Sequence, residues 1–437
     1  MENRVGTRLI QPLNWLMKYL FVHQNFPGQF IHLAPALVKQ GHDVHAFVMR
    51  KGLSGQWQGV HLHEVKPIQG STPGVHPWLI DFETKVIRGE SVYRAALALK
   101  QGGYEPDVII AHPGWGESLF LKDVWPDAKL AIYCEFNYAE SGLDVGFDPE
   151  FSVLDRGDAC RLRLKNLNNV LHFDAANAAI SPTAFQAQTF PLPFRKNIQV
   201  LHDGIDTQTI QPRPDVEFEL PDGTILTRQD EVITFANRNL EPYRGYHVFM
   251  RALPQLLRER PQARVLIVGG DRTSYGQAPK GKTTWKQTFI DEVRPQITDA
   301  DWQRVVFLPQ LPRETFLKFL QVSRVHVYFT YPFVAGWSLL EAMSAGCAVV
   351  GSDTEPVREF IRHRETGVLT PFFDVPQLVK NIGVMLDNQK LRTQCAAEAR
   401  RFVQTQYDLQ SVCLPQLIQW AEGLVKAPKK AAKRKAV

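Results

Sequence analysis

The chain has 437 residues, 44% of them hydrophobic and 22% charged, the composition of a globular protein too long for a single core. Its net charge of +5 comes from the chain end, where Lys426, Lys429, Lys430, Lys433, Arg434 and Lys435 carry six positive charges; without them 44 basic residues face 45 acidic ones. A near-neutral body excludes nucleic acid as the expected partner, and five widely spaced cysteines without a CxxC exclude a disulfide scaffold and fit a reducing cytoplasm.

Residues 1–16 lack the apolar core and cleavage site of a signal peptide, and Met17, immediately before an apolar strand, is a candidate start. From there short apolar runs alternate with helical stretches, the signature of parallel βα units. The expected strands of a first domain, 17–205, are KYLFV (18–22), DVHAFV (43–48), DVIIA (107–111), KLAIYC (129–134) and NIQVL (197–201). Gly41 serves as a helix stop before the second of them. Between 202 and 231 the pattern lapses into a polar, proline-bearing stretch that marks a domain boundary.

The rhythm restarts in a second domain, 206–410, with VITFA (232–236), RVLIVGG (264–270), RVVFLP (304–309), VHVYF (325–329) and CAVVG (347–351). Helices are expected at 375–386, 389–406 and 411–425, before a basic, solvated tail over 426–437 whose clustered cations suit an anionic lipid surface. The apolar run 325–350 is broken by Pro332, Gly336, Glu341 and Gly346, which argues against a membrane span. The fold class expected is therefore α/β, two doubly wound sheets in tandem.

Open parallel sheets bind ligands at the carboxyl ends of their strands, so the loops just after them are the informative ones. In NRNLEPYRG, Arg238 and Arg244 follow a buried strand, and guanidinium groups match phosphate oxygens; ordinary surface arginines read the same way. Gly28 lets a ligand or a tight turn approach the backbone. His112 after DVIIA and Glu135 after KLAIYC point toward the same cleft as candidate general bases or substrate-binding groups. Trp115 and Trp337 stack or pack in loops.

No GxGxxG, GxSxG or GxxxxGK[ST] is present, which counts against nicotinamide and flavin enzymes, nucleophile-elbow hydrolases and phosphate-loop proteins. Asp299 and Asp301 form a DxD at the amino end of a strand, and His61 and His63 share a strand face beside Glu64. Neither pair makes a convincing metal site, so no metal and no cofactor are expected. In FVAGWSLLEAMSAGCAVV, 333–350, Glu341 is the one charged side chain. A buried carboxylate needs compensation, either as the partner of Ser338 in a capping box or as the holder of a ligand.

GWSLLEAMSAG followed by CAVVGSDTEPVREFI resembles the retaining family 4 glycosyltransferases of the GT-B fold, glycosyl transferases group 1. Leu340, Glu341, Ala342, Met343, Gly346 and Val349 fill that family's pattern, and VLHDGIDTQTIQP, FANRNLEPYRG and RVLIVGGD extend the similarity over most of 17–425. The resemblance implies two domains facing a cleft, with the C-terminal helix returning to the first. It implies that Glu341 binds the ribose hydroxyls of a nucleotide-sugar donor, that Arg238 and Arg244 meet its diphosphate, and that backbone N–H groups of Gly336 and Trp337 face the diphosphate and sugar. The family separates its basic pair by five positions rather than six, carries a glutamate where this chain has Phe333, and often has a histidine where it has Glu135.

The activity implied is metal-independent, retaining transfer of a sugar from a nucleotide-diphosphate donor to a hydroxyl of a glycan or lipid-linked acceptor. It would serve surface polysaccharide or glycolipid synthesis in the cytoplasm or at the inner face of the membrane. The alternatives are a nucleotide-sugar epimerase, a phosphorylase, for which no lysine stands in an evident pyridoxal position, and a scaffold that binds nucleotide sugar or glycan without turnover.

Overall fold

Burial on both faces of the first strand sets the architecture. In β1 (Lys18–Val22), Tyr19 and Phe21 enter one apolar layer while Leu20 and Val22 enter another on the opposite face, as a strand covered on both sides requires. The computed structural model describes residues 16–50, 52, 55–152 and 157–425; residues 1–15 of the expected extension and the tail 426–437 fall outside the described residues.

The first sheet has eight strands: β1, β2 (Asp43–Val48), β3 (Gly55–Trp57), β4 (Val60–Glu64), β5 (Val108–Ala111), β6 (Lys129–Tyr133), β7 (Ala178–Ser181) and β8 (Ile198–Val200). Their order is β3-β4-β2-β1-β5-β6-β7-β8, parallel except for the β3–β4 edge pair. After a short hairpin, β9 (Phe218–Glu219) and β10 (Ile225–Leu226), comes the six-stranded parallel sheet: β11 (Val232–Asn239), β12 (Arg264–Gly270), β13 (Val305–Leu308), β14 (Val325–Tyr328), β15 (Ala348–Ser352) and β16 (Val368–Thr370), in the order β13-β12-β11-β14-β15-β16. In each sheet the sequence order reverses beside the first strand, β1 or β11, which opens a crevice at the strands' carboxyl ends.

The chain crosses between the sheets twice, side by side. Ile205 N–H donates to Tyr407 O and Leu409 N–H to Ile205 O, both at 2.8 Å, and Thr207 donates to the buried Asp408. The C-terminal helix Leu414–Gly423 then returns to the first sheet, where Leu417, Trp420 and Ala421 join the layer of Tyr19, Leu33 and Leu37. The expected helix at 411–425 is a π-type turn at Leu409–Cys413 followed by that helix, with Pro415 in its first turn. No helix among the described residues is long and apolar enough to cross a membrane.

Candidate functional site

The loops at the carboxyl ends of the two sheets meet. From the first domain come His23 after β1, His112 after β5 and Glu135 after β6. His112 is buried, and its Nδ1 accepts from Gly114 N–H at 3.2 Å. Its ring stacks on Trp115 and lies edge-on to His23, with centroids 4.5 and 5.2 Å away. The other nitrogen, Nε2, sits 3.5 Å from Glu135 Oε2. Glu135 Oε1 accepts from Gln29 Nε2 at 3.1 Å, and Gln29 Oε1 meets His23 Nε2 at 2.7 Å. Burial alone would raise the Glu135 pKa; His112, His23 and Arg238 outweigh it and hold the carboxyl below its usual range. The sequence-predicted His112 and Glu135 are therefore brought together as one network.

Gly28 belongs to this network for a steric reason. Its φ is +48°, and a Cβ there would lie 2.4 Å from the His23 imidazole, so any other residue would displace that ring.

From the second domain, Arg238 stands exposed at the end of β11, and its charge reaches both Glu135 and Glu241. Arg244 is placed differently from Arg238. Its side chain is buried, with Nη1 donating at 2.8 Å to Thr330 Oγ1 and to Val334 O, and its guanidinium lies 5.0 Å from the centre of the Tyr275 ring. It braces the 330–334 loop. Gly245 beside it has φ +67°, and a Cβ would stand 2.3 Å from Phe329 Cβ, which forces glycine at this turn.

The capping-box reading of Glu341 is overturned. The helix Trp337–Ser344 starts earlier than that pattern requires, with Gly336 as N-cap and no side-chain cap. The reason lies in Tyr328, whose hydroxyl accepts Gly336 N–H at 2.8 Å and turns the chain there, leaving Ser338 inside the first turn. The Gly336 amide expected to face a diphosphate is thus engaged. Glu341 is buried, and Arg313 Nη1 meets its Oε1 at 2.6 Å from a side chain that is 55% exposed. Its compensation is an arginine that reaches in from solvent.

Three features had no clear signal in the sequence. Asp203, in the crossing segment, accepts from Trp337 Nε1 at 2.8 Å and from Tyr133 at 3.1 Å; burial pushes its pKa up to about 7 against those two bonds. Glu117 is buried with neither carboxyl oxygen hydrogen-bonded, and burial pushes it up to about 7 as well. The third is an arm of the first domain, residues 144–151, laid on the second. Tyr243 donates to Asp144 at 2.9 Å, Tyr331 to Asp148 at 2.7 Å, His247 Nε2 lies 3.0 Å from Asp148, and Arg251 grips Glu150 with two bonds of 2.7 Å. Alternating acids and aromatics in GLDVGFDPEF (142–151) were the available clue.

Phe333, where the family carries a glutamate, is the centre of an aromatic nest. Phe136 and Tyr138 of the first domain and Tyr243 and Tyr275 of the second surround it at 4.7 to 6.5 Å. The DxD is consumed structurally: Asp299 pairs with Arg294, while Asp301 pairs with Arg304 and meets Thr298 at the cap of a short helix. His61 gains neighbours that spacing could not show, since Asp43 and His45 on β2 bring ligand atoms within 4.8 Å of it and of each other, and His63 meets His45 at 2.8 Å.

Two family models match the chain, the glycosyl transferase family 4 group over residues 40–210 and the glycosyl transferases group 1 over 222–402. A phosphatidyl-myo-inositol mannosyltransferase of Mycolicibacterium smegmatis is 29% identical over 202 residues, 45% of this chain and 45% of that protein. A D-inositol 3-phosphate glycosyltransferase of a Mycobacterium species (strain JLS) is 24% identical over 238 residues, 54% of this chain and 50% of that protein. The matched stretch thus spans about half the length of these curated relatives. Among solved structures, Anabaena HepE in complex with UDP-glucose shares 18% identity at a TM-score of 0.62, covering 93% of this chain and 100% of that one. The sucrose-phosphate synthase of Thermosynechococcus elongatus shares 16% at 0.68, covering 93% and 99%. The fold is GT-B, and the chain belongs to the family 4, group 1 glycosyltransferases.

Proposed function

We propose that this chain moves a sugar, with retention and without a metal, from a nucleotide-diphosphate sugar to a hydroxyl of a glycan or lipid-linked acceptor. The observation that carries the reading is Glu341: a buried carboxylate with no capping role, compensated by a mobile-length, half-exposed arginine. Ribose hydroxyls can take the place of Arg313 there without leaving a buried charge unpaired. Arg238 then stands at the carboxyl end of β11 to stabilise charge growing on the departing diphosphate, an electrostatic role like that of an oxyanion hole. Arg244 acts through the 330–334 loop that it braces and adds its own charge to the site. The acceptor meets the donor from the His23, His112 and Glu135 side, and the leaving diphosphate takes the acceptor's proton as the new bond forms on the same face. The curated relatives named above, a mannosyltransferase and an inositol phosphate glycosyltransferase, and the UDP-glucose complex of HepE support this class of substrates.

The same reading puts the acceptor at the inner face of a membrane, where the basic residues of 426–437 would gain roughly 1 kcal/mol each on anionic lipid. Removing 427–437 then weakens binding to anionic vesicles. A second reading, a scaffold that binds nucleotide sugar without turnover, is favoured by Phe333, which fills the place of the family's glutamate with an aromatic plug.

The experiment that tests the proposal is thermal unfolding with UDP-, GDP- and ADP-sugars in EDTA, followed by product analysis with and without acceptors. A donor at a hundred times its dissociation constant stabilises by about 2.7 kcal/mol. A shift with one nucleotide class followed by transfer supports the enzyme; a shift without transfer or hydrolysis supports the scaffold; no shift with any donor sinks both.

A further inference from the structure

One face of β2 and β4 packs Val44, Ala46, Val60 and Leu62 into the core of the first domain. The opposite face carries imidazoles. Parallel register sets His45 beside His61 and Phe47 beside His63, and strand alternation puts Asp43, two residues before His45, on the same face. Asp43, His45 and His61 bring ligand atoms within 4.8 Å of one another, and among the described residues they are the one group of three that could hold a metal ion. The face is open to solvent, with the side chains of Asp43 and His45 29% and 14% exposed.

Two of the three ligands already stand at coordination spacing. His45 Nε2 lies 3.1 Å from Asp43 Oδ1, and two ligands of a tetrahedral zinc-class ion, with bonds of about 2.0–2.1 Å, are separated by roughly 3.4 Å. The third, His61, is exposed, and its Nδ1 is 3.4 Å from Gln56 Nε2, a contact weak enough to yield. Closing the site asks only for a rotation of that ring.

The central ligand is also held from behind. His45 Nδ1 meets His63 Nε2 at 2.8 Å, and the His45 ring stacks on Tyr104 with centroids 3.9 Å apart. With Nδ1–H donating to His63, Nε2 turns its lone pair toward an ion, the outer support that metal-bound histidines have. Burial, together with His63 and His61, outweighs Asp43 and holds the His45 pKa down to about 4. A neutral imidazole beside a carboxylate is a pair of ligands rather than an ion pair.

We infer that Asp43 Oδ1, His45 Nε2 and one ring nitrogen of His61 bind a divalent ion of the zinc class, with water completing the tetrahedron. Two nitrogens and one oxygen suit Zn²⁺, Ni²⁺ or Cu²⁺, whereas Mg²⁺ and Ca²⁺ take oxygen ligands. The ion would tie the β3–β4 edge pair to β2 near the amino ends of β2 and β4. The candidate transfer site lies at the carboxyl ends, so the two sites are separate and this inference does not rest on the proposed transfer.

The test is isothermal titration of the full chain, made without a histidine tag and kept reduced, with ZnCl₂ and separately with MgCl₂. His61→Ala, Asp43→Asn and, as a control at an exposed histidine elsewhere, His363→Ala are titrated beside the wild type. One Zn²⁺ per chain is expected in the wild type and in His363→Ala. Loss of an outer-shell partner alone weakens metal binding 10–100-fold, so loss of a ligand should weaken it at least about tenfold in His61→Ala and Asp43→Asn. Zn²⁺ should also raise the unfolding temperature of the wild type and not that of His61→Ala. If Asp43→Asn fails to fold, His61→Ala decides alone, its side chain being exposed. No saturable zinc uptake, equal affinity in the wild type and His61→Ala, or Mg²⁺ binding as tightly as Zn²⁺ would each overturn the inference.

Discussion

Asp148 of the first domain accepts a hydrogen bond from Tyr331 of the second at 2.7 Å, and the same carboxylate oxygen lies 3.0 Å from His247 Nε2. Asp148 and His247 are both buried. A short arm is thereby tied to the loop that carries Phe333 and leads to the helix of Glu341, so the second domain's side of the cleft takes part of its shape from the first domain. Truncating Asp148 to alanine leaves two buried polar partners unpaired, and the expected destabilisation is about 3–5 kcal/mol, read as a lower urea midpoint. Burial raises the Asp148 pKa, but the bonds from His247 and Tyr331 prevail and lower it. A depressed carboxylate contributes stability above its unfolded value near 3.9, lost as pH falls through the folded value. The deficit of the variant should therefore shrink on acidification; a deficit constant with pH would contradict the pairing.

Asp203 titrates in the opposite sense. Burial raises it to about 7, so between pH 4 and 7 the folded chain keeps a proton that the unfolded chain releases, and stability falls as pH rises through that window. Asp203→Asn removes this dependence while retaining an acceptor for Trp337 or Tyr133. Urea unfolding at successive pH values should show the variant gaining on the wild type from pH 4 to 7 and no further above it. Parallel curves would mean that Asp203 is ionised in the fold.

Ser338→Ala and Glu341→Gln separate the two roles once open for this helix. Loss of a true N-cap costs about 1 kcal/mol. With Gly336 at the cap and Ser338 in the first turn, Ser338→Ala should stay within about 0.5 kcal/mol of the wild type. Glu341→Gln loses the charge that Arg313 meets and, on the proposed function, the ribose acceptor; the donor-induced thermal shift should vanish at a donor concentration that saturates the wild type.

Arg238→Ala probes the diphosphate end. The side chain is exposed, so stability should change little, while turnover should fall by about a hundredfold to a thousandfold if the guanidinium stabilises the leaving group. Steady-state rates at saturating donor are the measurement, and near-normal turnover would remove Arg238 from the mechanism.

Much of the scaffold was legible because it is written in local pattern. KYLFV, DVHAFV and RVLIVGG coincide with β1, β2 and β12, since β-branched and aromatic runs buried on both faces have no other stable use. AAIS, which forms β7, escaped notice because alanine carries no strand preference and the strand is held by its neighbours. The Ser338–Glu341 spacing misled for a similar reason: a hydroxyl from Tyr328, distant in sequence, set the helix start. Arg238, His112 and Glu135 stand at or just after strand ends, as the local pattern places them. Asp203, Glu117 and the arm have no such local signal, because the partners or the burial that give them meaning come from other segments.

Phe333→Glu restores the residue type that the family has at this position and tests whether the nest can yield. Phe333 is 6% exposed and ringed by Phe136, Tyr138, Tyr243 and Tyr275, so the substitution removes aromatic packing and buries a carboxylate among rings. Removal of a buried phenylalanine side chain costs about 3–5 kcal/mol. The Arg244 guanidinium lies 6.0 Å from the centre of the replaced ring, which lets a glutamate recover part of that loss by pairing. The expected outcome is a lower unfolding temperature with no gain in donor response, because Arg244 turned toward residue 333 would slacken its bonds to Thr330 and Val334 and loosen the loop beside the donor. Thermal unfolding with and without the donor class identified for the wild type measures both quantities. An unchanged unfolding temperature together with a larger donor shift would mean that the nest is an open sugar site and that Phe333 is no obstacle to the family's usual contact.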